Sequence, residues 1–225
     1  MKLILFDIDG TIMDSGGAGT RSMDIAFKEL FSVDNAFRDI SMAGKTDVEI
    51  LKEGLKRHNL PSDNGVIPAF ISAYVKNLAR DIDNPKKVIK PGIAELLGML
   101  SERDGIRLCL LTGNLEEGAR IKLKSIGVDR YFPFGAFGSD HEDRNMLLPI
   151  AADKFKGLYK EGISFKDCII IGDTPKDVEC ARPYGAKAIA VATGPYSMDI
   201  LNNTGADMVL KDLSNPNEFL RFIGA

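Results

Sequence analysis

The stretch MKLILFDIDGT (residues 1–11) opens the chain with a short apolar run that ends in two acidic residues. Residues 3–6 are typical of a strand that is buried on both faces of a sheet. A two-residue step places Asp7 and Asp9 on the same side of an extended backbone, at the carboxyl end of that strand. Two close carboxylates repel each other unless a cation or a shared proton offsets them. The stretch therefore indicates a metal site.

Two simpler structures would also fit these residues. Asp and Gly suit turns, so the segment after Phe6 could be a plain turn that ends a strand. A calcium-binding loop would need a Glu at its twelfth position, but counting from Asp7 that position is Ala18. The calcium loop is therefore rejected, and the plain turn stays open at this point.

Composition is that of an ordinary globular protein. The chain has 225 residues, of which 44% are hydrophobic and 27% charged, enough for one large domain or a core with a small second domain. A net charge of −3 does not indicate a nucleic-acid partner. No apolar stretch approaches the ~20 residues of a membrane span, and the first apolar run is too short for a secretory signal.

The three cysteines are widely spaced, at Cys109, Cys168 and Cys180. Two of them lie in or beside apolar runs, which is typical of reduced core residues and not of a disulfide framework or a zinc site. We therefore expect a cytoplasmic protein.

Residues 15–89 are predicted to form a helical insertion between the first strand and the rest of the chain. Residues 14–19 are rich in glycine and suit a hinge, and apolar residues then recur at helical spacing in three segments (residues 20–31, 48–55 and 67–78). Within the insertion, Gly44-Lys45-Thr46 resembles the end of a phosphate-binding P-loop. That motif needs a glycine where Asp39 stands, so the P-loop is rejected and Lys45 could be a surface charge.

From residue 91 onward, helical and strand patterns alternate. Strands are predicted at residues 106–111, 134–137, 168–172, 188–192 and 207–210, with helical patterns between them. This alternation predicts a parallel sheet covered by helices on both faces. The predicted core is formed by residues 1–14 and 90–225.

Three predicted strands end in polar groups that would meet at one edge of such a sheet: Asp7 with Asp9, Thr112 with Gly113, and Asp173 with Asp177. Asp177 also stands where the acid of a capping box belongs, and Asn114 could cap the helix that follows it. Acidic groups from distant segments fit a hard cation with oxygen ligands, and magnesium favours phosphate-bearing substrates.

These segments together resemble the haloacid dehalogenase-like hydrolase superfamily. Its first motif, Asp-x-Asp-Gly-Thr, stands at residues 7–11, its second at residues 110–114 and its fourth, Gly-Asp-x-x-x-Asp, at residues 172–177. The insertion is similar to that of the phosphoglycolate phosphatase and beta-phosphoglucomutase branch. The resemblance implies an α/β fold with a Rossmann-like parallel sheet core and an inserted α-helical cap domain, mobile and made of four or five helices.

The resemblance also implies a function: a magnesium-dependent phosphatase that hydrolyses a small phosphomonoester through an aspartyl-phosphate intermediate. Asp7 would be the nucleophile and Asp9 the acid and base. Asp7, Asp9, Asp173 and Asp177 would form the Mg²⁺ site. Substrate contacts are expected from Thr112, Gly113, Asn114 and Lys45.

The third motif departs from the family pattern, because no Lys-Pro pair precedes the fourth motif. Arg144 is our candidate for the missing cation, and Lys154 is the alternative.

The resemblance leaves other activities open. Because true dehalogenases of this superfamily lack the second acid, Asp9 favours an oxygen leaving group. A phosphosugar mutase would use the same two acids, a phosphonate hydrolase would use Lys45 as a Schiff base, and a non-catalytic member would only bind. We expect a small phosphorylated metabolite as partner, no nucleic acid or membrane, and a monomer or weak homodimer. The substrate itself cannot be deduced from the sequence.

Overall fold

A computed structural model gives the structure of residues 1–63 and 65–224. Strands form at β1 (Lys2–Phe6), β2 (Met13–Asp14), β3 (Val88–Ile89), β4 (Ile106–Thr112), β5 (Gly135–Phe137), β6 (Cys168–Gly172), β7 (Lys187–Val191) and β8 (Met208–Leu210). Helices form at α1 (Ala18–Phe31), α2 (Asp47–Arg57), α3 (Val66–Asp81), α4 (Ile93–Ser101), α5 (Glu116–Ser125), α6 (Leu147–Tyr159), α7 (Pro175–Ala181), α8 (Met198–Asn202) and α9 (Pro216–Ile223).

All of these strands except β2 and β3 form one sheet, in the order β5-β4-β1-β6-β7-β8. Every pair in it is parallel, which confirms the predicted α/β architecture. β1 lies in the middle and pairs with β4 on one side and β6 on the other. The carboxyl ends of these three strands, which carry the predicted site residues, therefore lie side by side.

The opening apolar run is buried on both faces, as its composition predicts. Leu3 and Leu5 belong to the hydrophobic cluster on one face of the sheet, and Ile4 and Phe6 belong to the cluster on the other. All four side chains are fully buried, each contributing about 1.5–3 kcal/mol to folding. One face is covered by α6, α7 and α8, and the other by α4, α5 and α9.

The helical insertion is built from α1, α2 and α3. Its two connections to the core pair with each other as a short antiparallel ribbon, with Met13 opposite Ile89 and Asp14 opposite Val88. α1 packs along α3, and aromatic rings of Phe27, Phe37 and Phe70 meet inside it. The division at residues 15 and 89 stays a prediction.

The described part of the insertion has three α-helices, fewer than the four or five that the resemblance implies. Residues 32–46 form turns instead of a further helix. Ser32, Asn35 and Gly44 adopt left-handed backbone angles there, with φ of 58°, 50° and 74°, which a continuous α-helix cannot include. Across residues 1–63 and 65–224, no helix is long and apolar enough to cross a membrane.

Candidate active site

Asp7 and Asp9 stand at the carboxyl end of β1 in different environments. Asp7 follows the last residue of the strand, and its backbone N–H donates to the carbonyl of Ile171 at 2.9 Å. Its residue surface is only 6% exposed, whereas the side chain of Asp9 is 45% exposed. The two-residue step therefore sets one buried and one accessible carboxylate beside the same strand end.

Three carboxylates converge at the ends of β1 and β6. Asp7, Asp173 and Asp177 each offer an oxygen, and these oxygens lie within 4.8 Å of one another. Thr11 donates its hydroxyl to Oδ1 of Asp173 at 3.1 Å. Gly10 makes this approach possible: its φ is +83°, and a Cβ there would lie 2.3 Å from Oδ2 of Asp173.

Burial raises the pKa values of two of these acids. It is the main cause for Asp7, whose pKa rises to about 6 although the Arg144 charge lowers it, and for Asp173, whose pKa rises to about 8. Neighbouring carboxylates add to both shifts. Three buried oxygen donors that are costly to ionise together have the chemistry of a divalent-cation site, so these residues fit a hard cation such as magnesium.

Asp177 opens α7 as well as facing this cluster. Its Oδ2 accepts from the backbone N–H of Thr174 at 2.9 Å and from the Thr174 hydroxyl at 2.7 Å. The capping box predicted for this helix is thus confirmed. Because Oδ2 accepts these two hydrogen bonds, Oδ1 is the oxygen that pairs with Arg144.

Of the two candidate cations for the third motif, the structure brings Arg144 to the carboxylates. Its Nη2 lies 3.1 Å from Oδ1 of Asp7 and also pairs with Oδ1 of Asp177. Its Nε has no hydrogen-bond partner among the described residues. Lys154 lies elsewhere, donating to the carbonyl of Gly135 at 2.9 Å and to Asp140 at 2.6 Å.

Asn114, after the end of β4, faces the sheet edge and does not cap the helix that follows. Its Nδ2 donates to Oδ2 of Asp9 at 2.8 Å and to the hydroxyl of the fully buried Thr112 at 2.9 Å. The N-cap of α5 is Leu115, and no side chain at that position caps the helix. The capping role considered for Asn114 is therefore wrong, because its amide is held by these two oxygens.

A side chain of the helical insertion accepts a hydrogen bond at the N-terminus of α5 instead. Oδ2 of Asp47, at the start of α2, accepts from the backbone N–H of Leu115 at 2.9 Å. Its own N–H donates to the carbonyl of Gly113 at 2.8 Å. Burial raises the pKa of Asp47 to about 6, and Lys122 opposes that shift. A carboxylate from the insertion thus joins the end of β4.

Lys122 is a site residue that sequence reasoning missed. It is 3% exposed, and its Nζ lies 2.6 Å from Oδ2 of Asp9 and 2.6 Å from Oδ1 of Asn114. One signal for it was present. Lys122 stands within the apolar stripe that α5 turns to the core, beside Ala119 and Leu123, where an unpaired ammonium is strongly disfavoured.

A cavity of about 500 Å³ lies between these strand ends and the helical insertion. Tyr74, on α3, lines it and is itself buried, which raises the pKa of its hydroxyl. Lys45 lines it too, with its ammonium paired to Glu53. The described lining has five carboxylates and four cations: Asp7, Asp9, Asp14, Asp47 and Asp173, with Lys45, Lys90, Lys122 and Arg144. Such a lining leaves no excess positive charge for an anionic ligand, which favours a metal cation as counter-charge.

Comparisons with known proteins identify the family of this chain. The profile of the haloacid dehalogenase-like hydrolase family matches residues 4–191. A phosphoglycolate phosphatase of Rhodospirillum rubrum is 26% identical over 227 residues, covering 98% of this chain and 91% of that protein. The chain therefore belongs to the haloacid dehalogenase-like hydrolase family, and it is an enzyme of the phosphatase type.

Solved structures show the same fold. A hydrolase from Pseudomonas syringae superimposes with a TM-score of 0.74 at 22% identity, covering 99% of both chains. CbbY from Rhodobacter sphaeroides, solved in complex with phosphate, superimposes with a TM-score of 0.72 at 17% identity, covering 96% of both chains. The resemblance stated from the motifs is thereby confirmed at the level of family and fold.

Proposed function

We propose that this chain is a magnesium-dependent phosphatase that hydrolyses a small phosphomonoester through an aspartyl-phosphate on Asp7. The observation that carries the proposal is the pair of carboxylates at the end of β1. Asp7 is buried against Arg144 and two further acids, whereas Asp9 faces the cavity with an accessible side chain. We propose that Asp7 attacks phosphorus and that Asp9 exchanges a proton with the leaving group or with water.

In the first step, a carboxylate oxygen of Asp7 attacks phosphorus and the bond from phosphorus to the ester oxygen breaks. Asp9 gives its proton to the departing alkoxide. In the second step, Asp9 takes a proton from water, whose oxygen attacks phosphorus. The bond to Asp7 then breaks, which releases inorganic phosphate and restores the carboxylate.

The remaining groups at the strand ends would hold the phosphoryl oxygens. Thr112, the backbone N–H of Gly113 and the Arg144 guanidinium are proposed for this role, which is strongest in a site that excludes water. Asp7, Asp173 and the backbone carbonyl of Asp9 would hold the magnesium ion, with Asp177 acting through bound water or by orienting its neighbours. When bound, the ion supplies positive charge that offsets the nucleophile and the phosphate.

Residues 15–89 are proposed to act as a cap on the core formed by residues 1–14 and 90–225. Support comes from the ribbon that joins the two connections and from the cavity that the insertion closes. Closure would exclude bulk water from the aspartyl-phosphate, and opening would admit substrate. Lys45 is proposed to contact the leaving group from this side.

The substrate is proposed to be small, and 2-phosphoglycolate is the first to test because it is the substrate named by the Rhodospirillum rubrum relative. A phosphosugar mutase would use the same two acids and would differ only in transferring the phosphoryl group to a sugar instead of water. The phosphonate reading has less support, because the Lys45 ammonium is paired with Glu53 instead of being held as a free amine. The three buried thiols agree with a reducing, cytoplasmic location.

The experiment that tests the proposal is phosphate release from p-nitrophenyl phosphate, 2-phosphoglycolate and a panel of phosphate esters, with and without magnesium. We expect magnesium-dependent release by the wild type and none by Asp7→Asn, because the amide cannot attack phosphorus. Release that survives in Asp7→Asn would contradict the mechanism. Turnover only with a sugar bisphosphate present would favour the mutase.

A further inference from the structure

The mechanism above assigns no role to Lys122, although it is a buried charged group. Lys122 is 3% exposed and lies on the core-facing side of α5, yet it also lines the cavity. Burying an ammonium costs several kcal/mol unless it is paired and hydrogen-bonded. The hydrogen-bond partners of the Lys122 ammonium therefore indicate its role.

The Lys122 ammonium is directed at one oxygen of Asp9. Nζ lies 2.6 Å from Oδ2 of Asp9, and the Nδ2 of Asn114 donates to the same oxygen at 2.8 Å. Nζ also donates to Oδ1 of Asn114 at 2.6 Å, which closes a triangle of three side chains. Among the described residues Oδ1 of Asp9 accepts no hydrogen bond. Oδ2 of the Asp9 carboxylate thus accepts two hydrogen bonds, and Oδ1 accepts none from the described residues.

The helical insertion covers this triangle. Tyr74 of α3 is buried beside it, and a Cβ added to Gly19 of α1 would lie 3.4 Å from the Lys122 Nζ. Asp47 of α2 adds a further negative charge whose field acts on Lys122. The Lys122 ammonium is therefore enclosed by groups from the core and from the insertion. Its position depends on both parts of the chain.

We propose that Lys122 is a positioning residue, which holds Asp9 by Oδ2 so that Oδ1 carries the proton to and from the reacting oxygen. The proposal rests on the function proposed above, because it assigns Lys122 a part in the proton transfers of Asp9. Donors on Oδ2 make Oδ1 the oxygen that bears the proton, and rotation of the carboxylate about its Cβ–Cγ bond is prevented.

This role predicts a loss that depends on the leaving group. An alkyl ester needs a proton from Asp9 when its alkoxide departs, whereas p-nitrophenolate is weakly basic and departs without one. A residue that only supports the fold would affect both esters equally. The distinction is sharpest in the first turnover, before Asp9 acts on water.

The test is rapid-quench measurement of first-turnover leaving-group release by Lys122→Met, from p-nitrophenyl phosphate and from the best alkyl phosphate of the panel. Methionine keeps the length of the apolar stem and removes the ammonium. We expect first-turnover release from the alkyl ester to fall by roughly 10–100-fold, and release from the aryl ester to change by less than about threefold. Asp9→Asn should show the same selectivity, and the double variant should lose no more than Asp9→Asn alone.

Lys87→Met is the matched control. Lys87 is also largely buried, with a side chain 15% exposed, and donates to Asp83 at 2.9 Å and to the carbonyl of Ser125 at 3.0 Å. It is outside the cavity lining, so both esters should be cleaved at the wild-type rate. If Lys122→Met does not fold, Lys122→Gln also removes the ammonium but keeps a polar side chain at the buried position, and it should give the same selective loss.

Equal first-turnover losses on both esters, or additive losses in the double variant, would overturn the role of Lys122 while leaving the phosphatase proposal intact. If the wild type cleaves neither ester under any metal condition, the proposed function fails, and this proposal fails with it. The two failures are distinguished by the wild-type rates alone.

Discussion

At the scale of single residues, chemistry in this site depends on how each carboxylate is neutralised. Asp7 is paired with Arg144 and Asp9 with Lys122. Within residues 1–63 and 65–224, the side chain of Asp173 accepts a hydrogen bond only from the hydroxyl of Thr11. The pKa of Asp173 is accordingly raised further than that of Asp7, to about 8 against about 6. Arg144 matters most for the proposed nucleophile, because among the described residues it is the cation in contact with Asp7.

Replacing Arg144 tests its proposed contact with the phosphoryl oxygens. We expect Arg144→Met to lower kcat/KM by about 10²–10³-fold, the usual cost of losing one preorganised donor to transition-state charge. Arg144→Lys should recover part of the loss, because it restores a positive charge but only one donor group. Steady-state kinetics on the wild-type substrate measures both.

Lys154→Met is the control for Arg144. Its ammonium is held by Asp140 and the carbonyl of Gly135 and is not in the cavity lining, so kcat/KM should stay within about threefold of the wild type. A loss in Lys154→Met as large as that in Arg144→Met would return Lys154 to the role of third-motif cation.

At the scale of elements, the site depends on how closely α2 approaches the end of β4. The side chain of Asp47, at the N-terminus of α2, accepts a hydrogen bond from the backbone N–H of Leu115. The backbone N–H of Asp47 donates to the carbonyl of Gly113. Gly113 permits the contact because a Cβ at that position would lie 2.1 Å from the backbone oxygen of Lys45. The insertion and core therefore meet through backbone groups that no rotamer change can move aside.

Gly113→Ala should separate these two elements. The added methyl meets backbone, so we expect the free energy of unfolding to fall by about 1–3 kcal/mol, the usual cost of overpacking. Activity should fall as well, because Lys45 and Asp47 would be displaced from the cavity. Urea unfolding and steady-state kinetics report the two effects.

Gly157→Ala in α6 is the matched substitution, because a Cβ there meets nothing within 4 Å. Within a helix this change should raise stability by up to about 1 kcal/mol and leave kinetics unaltered. If Gly113→Ala behaved in the same way, the close contact between α2 and β4 would not exist in solution.

At the scale of the whole molecule, the buried acids couple folding to pH and to metal. The unfolded chain releases the protons of Asp7 and Asp173 near the ordinary pKa of 3.8, whereas the folded protein holds them up to about 6 and 8. Between those limits the folded state binds more protons than the unfolded state. The metal-free free energy of unfolding should therefore fall as pH rises through this window.

Thermal unfolding in EDTA should give a lower Tm at about pH 8 than at about pH 5.5, and magnesium should raise the Tm mainly at the higher pH. Asp173→Asn removes the group with the larger shift. It should flatten the metal-free decline and abolish most of the magnesium response. A Tm in EDTA that rises steadily to pH 8, with no effect of Asp173→Asn, would contradict this coupling.

Much of the secondary structure can be predicted from local sequence patterns. Strands and helices that bury one face or both leave a periodic record in the chain, so β1, β6 and the helices of the insertion were predicted near their observed bounds. Motif spacing identified the family, and parallel strand order implied that Asp7, Thr112 and Asp173 would meet. These features depend on residues close together in the chain or on one rule of topology.

Contacts between segments that no local pattern links depend on the fold. Arg144 and Lys154 are both plausible cations in the sequence, and only the fold shows that one reaches Asp7 at 3.1 Å while the other is held by Asp140. The sequence pattern predicts a helix-capping role for Asn114, but in the fold its amide donates to Asp9, 105 residues away. Lys122 acquires its position from Asp9 and from the insertion that encloses it. Such pairings follow from packing in three dimensions, where a charge is stabilised by whichever partner the fold brings near.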